Sequence, residues 1–260
     1  MTDLLPDGED KDPSARKRVC GWVIVRSVVG SLLSLTLVLG LLTGIVALHH
    51  PDTPLPSEWN PTVPLAVSDP VTPLTHWKLR RALSDRQLCL DVLDEAAVMT
   101  PEPDIENTEN CYIRNRVSLS SVGNARIDPI ETTCAVALRL AMWEEHGIQR
   151  AAIEHLGTSV SVVRQIGSYN CRPIRTTQGP SNRWSTHATA EAIDITGFDL
   201  SDGRRIRLLE DWDDGTEVGA FLRAVQESAC TWFVTTLGPD YNALHADHFH
   251  LQSRGWGACR

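Results

Sequence analysis

The sequence predicts an α+β domain with an antiparallel core sheet packed with helices, preceded by one transmembrane helix and a proline-rich linker. Three observations carry that expectation: an uncharged run at residues 27–48, a cluster of prolines just after it, and a downstream change from helix-period to strand-period apolar patterns. With 260 residues, 42% of them hydrophobic, the chain suffices for one domain of ordinary size plus an appended segment.

Residues 27–48 are 22 consecutive positions without a charged side chain, rich in Leu and Val. A helix needs about 20 such residues to cross a hydrocarbon core. Arg16, Lys17, Arg18 and Arg26 precede the run, and no Lys or Arg follows it before Lys78. The positive-inside bias therefore makes residues 1–26 a cytoplasmic tail, disordered over its polar, acidic first 15 residues, and exports the remainder. A cleaved signal peptide fits less well, because the run exceeds a typical signal core and Val46-Ala47-Leu48-His49 lacks a small-x-small cleavage pattern.

Pro51, Pro54, Pro56, Pro61, Pro64, Pro70 and Pro73 mark residues 49–75 as a semi-rigid linker. In polyproline geometry, at about 3.1 Å per residue, it would reach at most roughly 75 Å from the membrane. The folded domain is expected over residues 76–260. It opens with Trp77, Leu79, Leu83, Leu88 and Val92 loosely on one helical face. Thr133 is placed to cap a helix over 134–146, with Gly147 as its stop or bend. Strands are expected from Val160 through Ile166, at 192–198 and at 204–208, the last two flanking the turn signal Asp202-Gly203. A helix over 217–233 with Phe221, Val225 and Trp232 inward, a loop at Gly238-Pro239 and a short strand at 247–251 complete the domain.

Six cysteines, Cys89, Cys111, Cys134, Cys171, Cys230 and Cys259, lie beyond the apolar run, and Cys20 lies before it. None of the six has C-x-x-C spacing, so disulfides formed in an oxidising compartment are the expectation, with 15 pairings open. Beyond residue 75 the chain holds 25 acidic and 19 basic residues, a net charge of −6, which argues against nucleic acid as a partner.

Two segments carry potential chemistry: Ser185-Thr186-His187-Ala188-Thr189-Ala190-Glu191-Ala192-Ile193-Asp194 and His245-Ala246-Asp247-His248-Phe249-His250. Imidazole nitrogen and carboxylate oxygen both bind zinc, and a catalytic zinc takes three protein ligands and keeps a fourth position open. The separation of His187 from Asp194 is too long for one helical turn, so a loop and the following strand are expected to present them. If 247–251 is extended, His248 and His250 point the same way. His245 is a candidate only for supporting the ligands from behind, with a solvated loop position as the expectation.

Ser185-x-His187-x6-Asp194 with His248-x-His250 resembles the motif pair of the LAS-type zinc peptidases, which include D-Ala-D-Ala carboxypeptidases and murein endopeptidases. More closely, Gly167-Ser168-Tyr169-Asn170-Cys171-Arg172, Ser185-Thr186-His187-Ala188, Ala192-Ile193-Asp194-Ile195 and Asp247-His248-Phe249-His250-Leu251 resemble the bacterial extensin-like C-terminal domain family, over residues 88–260. The plant extensin repeats are absent from this chain.

The resemblance implies a hedgehog/DD-peptidase fold with His187, Asp194 and His250 as ligands of Zn2+. It further implies Asp247 or His248 as general base, Arg172 stabilising the developing oxyanion, and peptidoglycan peptide as substrate. A surface salt bridge is the other reading of Arg172. Ala190 departs from the wider motif, where many relatives carry Gly. The implied location is the bacterial inner membrane, single-pass, with the C-terminal domain periplasmic; the sequence names no protein regulator. Two alternatives stay open: a non-catalytic zinc-containing envelope scaffold, and a metal-free, disulfide-stapled domain.

Overall fold

The computed structural model describes the backbone at residues 13–50 and 52–260, and side chains at residue 22, at 25–50 and at 52–260. The first 12 residues of the expected tail lie outside the described residues. The chain divides into two compact units, residues 1–56 and Ser57–Arg260.

The first unit contains helix α1 (Pro13–His49), of which Val25–His49 is long and apolar enough to cross a membrane. The helix begins well before the uncharged run and takes in the basic residues Arg16, Lys17, Arg18 and Arg26. Leu32, Leu37 and Leu41 are among its exposed apolar side chains.

The second unit starts at Ser57, which corrects the expected domain boundary at residue 76. Within residues 57–75, Asn60, Leu65, Val67 and Thr72 are buried. Ser57 Oγ donates to Asp69 Oδ1 at 2.8 Å, and Thr72 Oγ1 donates to the Glu58 carbonyl at 2.9 Å. The buried Lys78 ammonium donates to the Ser57 carbonyl at 2.6 Å and to that of Pro64 at 3.5 Å. Proline density excludes regular secondary structure but does not decide whether a segment is covered; Leu65 and Val67 decide it by joining the core. Only the residues before Ser57 remain as a connection.

Helices α2 (Thr75–Leu83) and α3 (Arg86–Asp94) replace the single helical face expected there. Asp85 divides them, because its Oδ1 accepts the Leu88 N–H at 2.8 Å and caps α3. Strands β1 (Ala97–Pro101), β2 (Ile105–Thr108), β3 (Cys111–Ile113), β4 (Arg116–Val122) and β5 (Ala125–Thr133) follow. Then come helix α4 (Cys134–Trp143), a π turn over Glu144–Ile148 and helix α5 (Gln149–Leu156). Thr133 caps α4 as expected, with Oγ1 accepting the Val136 N–H. Gly147 does not end the helix, which passes through the π turn into α5. Ser228 and Trp143 lie where a side chain at 147 would sit, so glycine serves close packing there.

The remaining elements are β6 (Val160–Gly167), β7 (Pro173–Thr176), β8 (Gly179–Trp184), β9 (Ala192–Leu200), β10 (Arg205–Arg207), α6 (Leu208–Asp211), α7 (Glu217–Trp232), β11 (Thr235–Leu237) and β12 (Phe249–Gln252). The principal sheet runs β1-β4-β5-β6-β9-β12-β11, with β10 on β9. Its pairs are antiparallel except β5–β6, which are parallel. The sheet is therefore mixed rather than purely antiparallel, because α4 and α5 form the crossover that parallel neighbours need.

Trp143, Phe198 and Phe221 pack edge to face in the core, and Trp143 Nε1 donates to the Val225 carbonyl. Against β6, β9 passes from Gly197 opposite Arg164 to Ile195 opposite Gln165, leaving Thr196 as an extra residue. Such a bulge reverses which face later side chains take. Phe198 thus joins the core with Ile193 and Ile195, and Asp194 is freed for the other face. Disulfides join Cys89 to Cys134, Cys111 to Cys171 and Cys230 to Cys259, so all six cysteines beyond α1 are paired.

Candidate metal centre

Ser185 opens a 3-10 turn, Thr186–Thr189, by accepting the His187 N–H on its Oγ at 3.3 Å. The Asn170 N–H bonds the His187 carbonyl at 2.9 Å, and the Ser185 N–H bonds that of Arg172 at 3.2 Å, so the segment after β6 holds the turn in place. His187 Nδ1 lies 2.9 Å from the Ser168 carbonyl. A carbonyl only accepts, so Nδ1 carries the proton and Nε2 presents a lone pair inward. Ser168 is itself fixed, with Oγ bonded to Thr132 Oγ1 and to the Ala192 carbonyl, each at 2.7 Å.

Asp194 on β9 and His250 on β12 are direct cross-strand partners. His250 Nδ1 stands 2.7 Å from Asp194 Oδ1, and His187 Nε2 is 3.1 Å from both Asp194 Oδ2 and His250 Nδ1. All three side chains are buried. These spacings lie near the edge of about 3.3 Å expected for a tetrahedron with metal bonds of about 2.0–2.1 Å. These two imidazoles and one carboxylate, a mutually close ligand set among the described residues, fit a three-ligand zinc site. Burial acts to raise the Asp194 pKa, but the adjoining His187 and His250 rings outweigh it and hold the carboxyl far below its ordinary range. Burial lowers that of His250, against the opposing pull of Asp194.

The structure separates the two neighbours that sequence left equivalent. His248 is 12% exposed at its side chain, with Nε2 at 3.7 Å from Asp194 Oδ1, whereas Asp247 is 54% exposed. Asp247 Oδ1 accepts from His248 Nδ1 at 2.7 Å, so it stands behind the histidine rather than at the cluster. Both precede β12, and the extended reading of 247–251 holds only from Phe249.

His245 is not in a solvated loop. Its Nδ1 bonds Asn242 Oδ1, and its ring packs 5.2 Å from that of His248 and 5.7 Å from that of His250. Burial, then the neighbouring His250 and His248, push its pKa down to about 4.

Arg172 is half-buried. Its Nη1 donates to the Pro173 carbonyl at 3.3 Å, its Nε is buried without a hydrogen-bond partner, and it joins no ion pair among the described residues. That removes the salt-bridge reading. Ala190 has φ of 50° and ψ of 28°, left-handed backbone at the end of the 3-10 turn, which accounts for glycine suiting this position.

Sequence reasoning missed Gln252, whose amide lies 2.9 Å from His250 Nε2. Its only signal was the strand period, which puts residues 250 and 252 on one face. Ser168 stood inside a recognised motif without an assigned role.

A buried His-Asp-His cluster on the sheet of a mixed α+β domain, stapled by three disulfides, defines the class to which the molecule conforms. The family described as Extensin-like protein C-terminus matches residues 87–260, and the chain belongs to it. No curated protein and no solved structure shows a match.

Proposed function

We propose that this protein is a membrane-anchored zinc-dependent peptidase hydrolysing peptidoglycan stem peptides or cross-links. The observation that carries this reading is the convergence of His187 Nε2, Asp194 and His250 Nδ1 on one point, with a third histidine, His248, oriented beside them. The likeness of these motifs to those of LAS-type zinc peptidases, and the hedgehog/DD-peptidase fold which that likeness implies, supports the same reaction class.

A zinc ion held there would supply Lewis acidity for polarising the scissile carbonyl and for acidifying water. His187, Asp194 and His250 would hold it, with the Ser168 carbonyl and Gln252 fixing the imidazoles. In this reading His248 takes a proton on Nε2 and returns it to the leaving amine, and the Nδ1–H bond to Asp247 supports that role by stabilising the imidazolium. Arg172 offers a guanidinium with a free Nε toward developing negative charge.

The exposed apolar surface of Val25–His49 supports an N-terminal membrane anchor, and the preceding basic residues support a cytoplasmic N-terminus. Three disulfides favour a periplasmic domain at the bacterial inner membrane.

The test is digestion of purified sacculi by the full-length protein in detergent, with zinc or chelator, beside His187→Ala. New muropeptides with zinc, lost with chelator and in the variant, are expected. Unchanged sacculi with the zinc-loaded protein would refute the peptidase.

A further inference from the structure

The boundary at Ser57 shortens the tether of the folded unit. Helix α1 ends at His49, so the connection is the seven residues 50–56. Fully extended, at roughly 3.3–3.6 Å per residue, they reach about 25 Å. The longer linker expected from the prolines would have reached roughly 75 Å. With α1 as a membrane span, chain length alone keeps the start of the folded unit near the lipid headgroups.

The surface at that start is apolar and basic. Eleven large apolar side chains of the second unit are exposed, and three of them, Trp59 at 49%, Val71 at 43% and Trp77 at 40%, fall within its first 21 residues. The hydrogen bonds that fold the strap also gather these three. The carbonyl of Glu58, next to Trp59, accepts from Thr72, next to Val71, and the Ser57 carbonyl accepts from Lys78, next to Trp77. Arg81 joins the group, since its Nη1 donates to the Pro61 carbonyl at 3.3 Å and its guanidinium carbon lies 5.8 Å from the centre of the Trp77 ring. Residues 57–84 hold Lys78, Arg80 and Arg81 against Glu58 and Asp69, a net charge of +1 in a chain of net charge −9. Lys78 is buried on backbone carbonyls, whereas Arg80 and Arg81 are exposed and have no acidic partner among the described residues. Tryptophan concentrates where a bilayer meets water, because its ring is apolar and its N–H needs a polar partner. Arginine beside it suits anionic headgroups, whose negative surface potential attracts basic residues within a Debye length. A two-fold contact between copies of the chain would instead repeat the same uncompensated charges on both sides.

We infer that Trp59, Val71 and Trp77, with Arg80 and Arg81, form a lipid-docking face that seats the folded unit on the anionic phospholipid surface of the membrane holding α1. The rings enter the headgroup layer and the two guanidiniums pair with phosphate, so docking weakens as salt rises. Docking rests on the anchor part of the proposed function and goes beyond it, since a tether by itself leaves a folded unit free in water; it does not depend on the peptidase.

Full-length protein reconstituted into vesicles containing phosphatidylcholine spin-labelled at its headgroup tests this, with tryptophan fluorescence as the readout. The chain has eight tryptophans, of which Trp22 lies on α1 just before its apolar run. Docking puts three of eight emitters at the lipid surface, and Trp59→Phe/Trp77→Phe leaves one of six, so the quenched fraction is expected to fall about twofold in that variant. With about one-third phosphatidylglycerol in the vesicles, wild-type quenching is expected to exceed that in phosphatidylcholine alone. Arg80→Gln is expected to reduce that excess, and about 1 M salt to abolish it. Quenched fractions that are equal in wild type and the tryptophan variant, or an excess that survives the salt, would each overturn docking. Equal fractions together with crosslinked dimers would give the face to a second copy.

Flotation and alkaline carbonate extraction of the same samples separate docking from anchorage. Protein that floats, resists carbonate and shows equal quenched fractions upholds the anchor and overturns docking. Protein that carbonate releases, but that shows the quenching difference beforehand, upholds docking and overturns the anchor.

Discussion

The His187 and His250 rings are oriented by different means. The Ser168 carbonyl leaves His187 no choice of tautomer. For His250, Nδ1 faces Asp194 and His187, so Nε2 is the nitrogen that Gln252 must satisfy. The amide nitrogen of Gln252 stands at His250 Nε2; turning the amide over would put its oxygen there to accept the Nε2–H and leave the Nδ1 lone pair inward. Partners of this kind are worth about 10- to 100-fold in metal affinity. Gln252→Leu is accordingly expected to weaken zinc binding by about that factor in a competition titration against a chromophoric chelator. An unchanged affinity would remove Gln252 from the site.

Between single residues and the whole domain, caps and packing decide where elements begin and what they hold. Thr133 and Asp85 cap their helices through side-chain oxygens, and both signals are local. The strap over residues 57–75 is held differently, through contacts from distant elements. His146, in the π turn, bonds the Val67 carbonyl through Nε2 at 2.7 Å, and Arg150 lies 3.3 Å from its Nδ1. A carbonyl on one nitrogen and a guanidinium on the other suit the neutral ring. Burial lowers its pKa, the Val67 bond opposes this, and Arg150 lowers it further.

The unfolded chain therefore takes up this proton near the ordinary value of 6.5, before the folded chain does. The stability that His146 contributes is present above that value and is lost as pH falls toward the lower folded value. Urea unfolding at pH 7 and pH 5 should show that loss, and His146→Gln, which keeps a donor for Val67, should lose less. Equal losses in both proteins would contradict this account.

Over the molecule as a whole, the boundary of the folded unit matters most. A fragment starting at residue 76 would discard Leu65 and Val67 from the core and leave the buried Lys78 ammonium without the Ser57 and Pro64 carbonyls. Losing the burial of two apolar side chains forfeits about 1.5–3 kcal/mol each, and the Lys78 ammonium exchanges its two carbonyls for water. Residues 57–260 are therefore expected to unfold at clearly higher urea than residues 76–260, with the difference several kcal/mol. Coincident transitions would show that the strap contributes nothing.

Sequence by itself determined what depends on near neighbours: the apolar helix, the Thr133 cap, the strands expected at 160–166 and 192–198, helix α7, the even cysteine set and the motif residues. Those signals are carried by residue type and by periods of two or 3.6 residues, which tertiary context modifies little. Strands β1 to β3 escaped because they are three to five residues long, and the longer β4 and β5 because a register shift between them and Pro129 inside β5 interrupt the alternation. The strap escaped because proline marks backbone shape and not burial. Only the tertiary structure decided that Asp194 faces His250 across a strand pair, 56 residues apart in sequence, that His248 and not Asp247 turns toward them, and that Gln252 backs the cluster. Each of these depends on register, and one bulged residue, Thr196, is enough to reverse which side of the sheet a side chain serves.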